Sequence, residues 1–223
     1  MHIQSFTFNP FAENTYILYD ETHECVIVDP GCYGTVEEKQ LADFIASENL
    51  KPVRLINTHC HIDHILGVPF VTSRYGISLE IHKGELVVLN YAGQSGLMFG
   101  TPIGKLPEPG GFLQEGDKVT FGNTTLDVFF TPGHSPASIC FYDPVGKQLL
   151  SGDVLFKGSI GRTDLPGGDY ETLMHSIFDV LMPLDDEVVV CAGHMEPTTI
   201  GDERRHNPFI HEWLLLHPEL TIK

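Results

Sequence analysis

Seven consecutive residues, Thr58-His59-Cys60-His61-Ile62-Asp63-His64, constrain this chain more than any other stretch. Four of them, His59, His61, Asp63 and His64, carry imidazole nitrogens or a carboxylate oxygen, which suit zinc, iron or manganese. In an extended segment residues two apart face the same way, so His59 and His61 can grip one ion together. Asp63 and His64 are adjacent, point differently, and are better placed to serve a second ion. The run follows Val53–Asn57, which reads as a strand, and precedes Ile65–Val68, which reads as a helix start. A strand end feeding a helix is where α/β proteins place their chemistry. A lone histidine is usually a surface or core residue, and this chain has twelve. Four donors within six positions at such a junction form a ligand pattern instead. A structural zinc finger would need paired cysteines at short spacing, and Cys60 has no such partner.

Around that run, strands and helices alternate. Thr15–Tyr19 and Cys25–Val28 are β-rich runs separated by the polar Asp20–Glu24, a hairpin signal, and Asp29-Pro30-Gly31 then turns the chain. From Thr35 the pattern is helical: Val36, Leu41, Phe44, Ile45 and Leu50 share a face, Thr35 serves as the cap with Glu38 three residues on, and Pro52 ends the helix. Strand, helix and strand follow at 53–57, 64–75 and 77–82, with His82 an ordinary strand histidine. Residues 92–115, rich in glycine and proline, read as a long irregular loop. Strands at 117–122, 124–130, 137–142 and 147–152 come next, then helices at 169–181 and 201–216 flanking a strand at 187–191. This order suits two packed sheets with helices outside, and 223 residues without a linker suit one domain over 1–223.

Three strand ends in the second half each place a further candidate ligand. They are His134 in Thr131-Pro132-Gly133-His134-Ser135-Pro136, Asp153 in Ser151-Gly152-Asp153, and His194 in Ala192-Gly193-His194. The glycine before each lets the backbone bend so that the side chain turns inward. A formal charge of −17 opposes binding to a nucleic-acid backbone. No apolar stretch approaches the ~20 residues of a membrane span, and the start shows no secretory signal. Five cysteines without framework spacing, with Cys140 and Cys191 in apolar runs, point to a reducing compartment; the expectation is cytoplasmic.

Taken together, His59-X-His61-X-Asp63-His64, Gly133-His134-Ser135-Pro136, Gly152-Asp153 and Gly193-His194 resemble the metallo-β-lactamase-fold hydrolases. Gly152–Gly168 and the ending Pro197–Gly201 with Asn207-Pro208-Phe209 resemble their glyoxalase II-like branch, particularly its small bacterial members. The likeness runs from Asn14 to Phe209. It implies an α/β fold, an αββα four-layer sandwich of two mixed sheets with helices on the outer faces. It also implies two divalent ions, zinc before iron or manganese. His59, His61 and His134 would hold the first ion, Asp63, His64 and His194 the second, and Asp153 would bridge them. Cys60 and Met195 depart from the branch, which commonly has glycine at both positions. Larger glyoxalase II enzymes carry a C-terminal helical region that grips glutathione; here 29 residues follow His194, so no separate glutathione-binding domain is expected.

The activity this resemblance implies is hydrolysis of a small-molecule thioester, hydroxyacylglutathione or a similar acyl-thiol, by a metal-bridging hydroxide oriented through Asp63. Arg162 is a candidate contact for the acyl or thiol part, since a guanidinium suits carboxylates; its plainer role is an ion pair with Asp164 or Asp169. The principal rival shares the scaffold. Glutathione persulfide dioxygenases resemble the same motifs and use a single iron, held at the positions of His59, His134 and Asp153.

Overall fold

Alternation along the strands sets the layering in the computed structural model, which describes residues 1–218. The first sheet runs β1 (His2–Phe8), β2 (Glu13–Tyr19), β3 (Glu24–Val28), β4 (Lys51–Ile56), β5 (Leu79–His82) and β6 (Gly111–Leu113), in that spatial order. Its first three strands form an antiparallel meander, and β3 to β6 are parallel. The second sheet is built from β7 (Lys118–Phe121), β8 (Thr124–Phe130), β9 (Ile139–Asp143), β10 (Gln148–Gly152), β13 (Val189–Ala192) and β14 (Thr198–Thr199). Its spatial order is β14-β13-β10-β9-β8-β7, with β10 and β13 parallel; β11 (Leu155–Phe156) and β12 (Ser159–Ile160) pair separately.

On β3, Val26 and Val28 face the second sheet, whereas Cys25 and Ile27 face the helices. Leu150 and Cys191 of the other sheet meet that central layer, and Leu149 and Val190 point away from it. Strands buried on both faces read as continuous apolar runs, which is why Cys25–Val28 of β3 and Val189–Ala192 of β13 carry no polar side chain. Helices α1 (Thr35–Ser47), α2 (Val68–Tyr75) and α3 (Leu86–Met98) cover the first sheet. On the second lie α4 (Tyr170–His175), its π-helical continuation Ser176–Leu181, α5 (Ile200–His206) and α6 (Pro208–Leu216). Three apolar layers between four structural layers give the αββα sandwich of two mixed sheets. Each fully buried aliphatic side chain there contributes about 1.5–3 kcal/mol relative to exposure. Ile200, Ile210 and Trp213 lie in the outer core of the second sheet, so α5 and α6 are part of that layer. No helix among the described residues is long and apolar enough to cross a membrane.

Several element boundaries differ from the sequence reading. Residues 92–115 are not one loop, because α3 extends to Met98 and β6 begins at Gly111. Glycine content hid the helix, yet Leu89, Ala92 and Gly96 are buried at helical spacing, and a Cβ on Gly96 would lie 2.6 Å from the Thr101 carbonyl oxygen. Gly34, not Thr35, occupies the α1 cap, with no side-chain hydrogen bond. The span 64–75 is a 3-10 turn, Ile62–His64, followed by α2 from Val68. The helix expected over 201–216 breaks at Asn207-Pro208, where the Asn207 side chain caps α6 by accepting from the Phe209 N–H. The strand expected from 137 starts at Ile139, because the Ala137 N–H is committed to Glu85.

Candidate metal centre

The loops that follow β4, β8, β10 and β13 converge at one end of the sandwich. Two backbone hydrogen bonds between the sheets close that rim, Ile139 N–H to the Thr58 carbonyl at 2.9 Å and Asn14 N–H to the Gly193 carbonyl at 2.7 Å. Of the glycines before the strand-end ligands, Gly133 and Gly152 have φ of +126° and +49°, so bending is their role. Gly193 serves space instead: a Cβ there would sit 2.2 Å from Asp153 Oδ1 and 2.6 Å from His64 Cε1.

All seven expected ligands meet at this rim. His59, His61 and His134 form one group, and Asp63, His64 and His194 another, with the donor atoms of each within 4.8 Å of one another. Across the first, His61 Nδ1 faces His134 Nε2 at 2.8 Å. Across the second, Asp63 Oδ2 lies 3.2 Å from His194 Nε2 and 3.8 Å from His64 Nε2. Asp153 stands between the groups, its Oδ2 3.4 Å from both His134 Nε2 and His194 Nε2 and its Oδ1 3.4 Å from His64 Nε2.

Outer hydrogen bonds aim four of the imidazoles. His134 Nδ1–H donates to the Arg162 carbonyl at 2.8 Å, His194 Nδ1–H to the Ala12 carbonyl at 3.2 Å, and His64 Nδ1–H to Asp29 Oδ2 at 3.1 Å. The Thr58 hydroxyl donates to Asp29, so its oxygen is left to accept from His59 Nδ1 at 3.1 Å. Each arrangement turns Nε2 inward, the way a metal-binding histidine is held by a partner behind it. Asn57 Nδ2 adds hydrogen bonds to the His59 and His64 carbonyls.

Electrostatics divide the two groups. Burial, reinforced by the neighbouring imidazoles, holds His59 well below the ordinary histidine value, and burial with His134 beside it brings His61 down to about 3. His134 is lowered by burial as well, against the pull of Asp153. In the second group burial also opposes protonation, but hydrogen bonds to Asp153 and Asp63 prevail and lift His194 to about 10. Burial opposes protonation of His64 too, but the negative charges of Asp153 and Asp63 beside it raise it well above the ordinary histidine value. The first group is therefore a set of neutral donors, and the second holds protons with which a cation must compete.

These residues fit a metal. His59 Nε2, His64 Nε2 and Asp153 Oδ1 are buried without a hydrogen-bond partner, and all three face the common centre. A buried polar atom left unpaired costs about 1–3 kcal/mol, and here a cation would satisfy all three. Imidazole with carboxylate donors suits zinc, iron or manganese.

A profile of the metallo-beta-lactamase superfamily matches residues 8–194. The chain belongs to that superfamily. Among relatives, it is 36% identical over 207 residues to the probable metallo-hydrolase YqgX of Bacillus subtilis, covering 92% of this chain and 96% of the relative. It is 33% identical to the hydroxyacylglutathione hydrolase GloC of Haemophilus influenzae, covering 95% and 99%. It is also 30% identical to the mitochondrial persulfide dioxygenase ETHE1 of Mus musculus, covering 87% and 70%. Among solved structures, the BLEG-1 B3 metallo-beta-lactamase superposes with a TM-score of 0.86 at 37% identity, covering 94% of this chain and 99% of that one. The di-iron-bound form of TTHA1623 superposes at 0.83, again at 37% identity, covering 92% and 99%. As a member of this superfamily the chain carries its metal site in His and Asp residues at the sandwich rim, and relatives of several activities share its fold.

The metallo-beta-lactamase superfamily motifs account for the donors but not for what holds them. Asp29 reads as a turn residue in Asp29-Pro30-Gly31, yet it accepts from Thr58 and His64. Glu13 and Glu85, both fully buried beside the site, carry no motif that marks them. Glu13 opens β2, Asp29 follows β3 and Glu85 stands at the start of α3, so their partners in space, not their sequence neighbours, single them out. Arg162 lies with Gly161, Tyr170 and Phe209 in a cleft of about 360 Å³ behind His134, its guanidinium paired with Asp164 at 2.7 Å through two hydrogen bonds. Cys60, where the branch commonly has glycine, is buried, and burial pushes its thiol well up, so it is unreactive packing. His82 accepts from the Gly84 N–H and packs on Phe130, apart from the site.

Proposed function

We propose that the protein hydrolyses a small-molecule thioester, hydroxyacylglutathione or a similar acyl-thiol, with two divalent ions held at the rim. The observation that carries this reading is the placing of Asp153 Oδ2, equidistant at 3.4 Å from His134 Nε2 of one group and His194 Nε2 of the other. One carboxylate oxygen within reach of two complete donor groups supports a paired site, in which His59, His61 and His134 would hold one ion, Asp63, His64 and His194 the other, and Asp153 would serve both. Zinc is the first choice of metal, with iron or manganese compatible with the same donors. Such ions supply a nucleophile from water at neutral pH and polarise the carbonyl under attack. Asp63 would orient that water, with His134 and His194 on the two sides of the rim and His59 buried beneath them as a donor. The thiolate is a good leaving group, so no dedicated acid is required of the chain. Arg162 and the cleft beside it receive the thiol-bearing part, with the guanidinium exchanging Asp164 for a substrate carboxylate.

The persulfide dioxygenase reading is kept because a relative of that activity matches at 30% identity. It needs only His59, His134 and Asp153 around one iron. Metal analysis, a thioester panel and oxygen uptake with glutathione persulfide separate the two. Two ions per chain with thioester turnover, lost strongly in Asp63→Asn, is the expected result. One iron per chain with rapid oxygen consumption would replace it with the dioxygenase, and thioester turnover that survives Asp63→Asn would sink the role given to that carboxylate.

A further inference from the structure

Glu85 is not one of the seven donors, yet its carboxylate is tied to both chain segments that carry the first group. It sits in the turn Lys83–Glu85 between β5 and α3 and is fully buried. Cys60 N–H, between His59 and His61, donates to its Oε2 at 2.9 Å. The Ser135 hydroxyl, directly after His134, donates to Oε1 at 2.6 Å, and Ala137 N–H donates to the same oxygen at 2.9 Å. One segment leaves the first sheet and the other the second, so the carboxylate is a strut across the gap between them. Burying a carboxylate is costly unless its partners compensate, and three donors from the two metal-binding loops are that compensation. The second group is held differently, by Asp29 behind His64 and the Ala12 carbonyl behind His194.

We propose that Glu85 is a positioning residue for the first ion. It sets the His59–His61 segment and the His134 turn at the separation where their imidazoles meet, including the 2.8 Å approach of His61 Nδ1 to His134 Nε2. Glutamine at this position keeps the volume, but its amide group is a donor facing a donor at Cys60 N–H or Ser135 and Ala137. The loops would be pushed apart, and the first ion would lose its fit. The inference rests on the two-ion reading above.

Cobalt(II) titration followed by visible absorption, with zinc affinity from competition against a chromophoric chelator, tests it on the full chain. His61→Ala and His194→Ala identify which component belongs to which ion. Glu85→Gln should weaken the component that His61→Ala removes by on the order of 10–100-fold, leaving the His194→Ala component unchanged. Ser135→Ala, which keeps the carboxylate and removes one donor, should weaken the same component by less. Thermal melting of the metal-free proteins separates this from general destabilisation, and if Glu85→Gln does not fold, Ser135→Ala decides. Selective loss of the first ion supports the inference, whereas unchanged affinity or equal loss of both ions overturns it. Wild-type protein that binds a single ion defeats the two-ion reading alone; Glu85→Gln must then weaken that ion, and failure to do so overturns the inference as well.

Discussion

His64 Nδ1–H donates to Asp29 at 3.1 Å, and the same carboxylate takes the Thr58 N–H at 2.7 Å and the Thr58 hydroxyl at 2.6 Å. One side chain thus fixes both ends of the seven-residue ligand run. Asparagine there offers a single acceptor oxygen for three donors and turns an amide N–H toward one of them. Asp29→Asn should lower the affinity for the ion held by His64 on the order of 10–100-fold, measured by chelator competition. Unchanged affinity would show that packing alone orients the imidazole.

Gly193 gives a second prediction, from space. Any Cβ there enters the region of Asp153 Oδ1 and His64 Cε1, at 2.2 and 2.6 Å. In Gly193→Ala the bridging carboxylate must move, and displacement by about an ångström costs on the order of 100-fold in turnover. Because the backbone at 193 is not in the left-handed region, the fold should survive, and circular dichroism should match wild type while metal content falls. Full metal occupancy and turnover would refute the argument.

Donors and frame differ in how plainly the sequence shows them. Four imidazole and carboxylate donors within six positions are uncommon, and His134, Asp153 and His194, each ordinary alone, stand out because they repeat the same strand-end design. Asp29 and Glu85 act on partners 29 and 50 positions away, and nothing local separates them from a turn acid and a helix-start acid. The two sheets were legible because β2, β3 and β13 keep β-rich apolar runs, while β7 and β8 alternate apolar with polar residues. The helix Leu86–Met98 was not, since Gly93 and Gly96 carry the composition of a loop while close packing at Gly96 requires glycine inside a helix.

Asp20 supplies a pH prediction at the opposite end of the sandwich. It follows β2 and accepts from Thr22, from the Asn123 N–H at 2.7 Å in the turn between β7 and β8, and from the hydroxyl of Thr124, which opens β8, at 2.9 Å. Burial pushes its carboxyl up, but these hydrogen bonds outweigh burial and hold it at about 2. A carboxyl lower in the folded than in the unfolded chain stabilises above the unfolded value, about 4, and that contribution fades as pH falls toward 2. Asp20→Asn should cost about 1–2 kcal/mol in urea melts at pH 7, and the gap to wild type should narrow at pH 3. A gap independent of pH would mean that the charge is not what joins the two turns.

Met195 follows the ligand His194 with φ of +67°, and this is one of the two positions where the resembling branch commonly has glycine. A side chain in the left-handed region costs about 1–2 kcal/mol, whereas glycine there avoids the clash but loses about 0.5–1 kcal/mol more backbone freedom on folding. Met195 is 56% exposed, so little burial offsets the strain. Its backbone carbonyl, which accepts from Asn14 Nδ2 at 2.8 Å, is retained in any substitution. Met195→Gly should therefore raise the melting temperature of the metal-free protein by about 1–4 °C without changing metal affinity. A lower melting temperature would show that the methionine side chain contributes packing that outweighs its backbone strain.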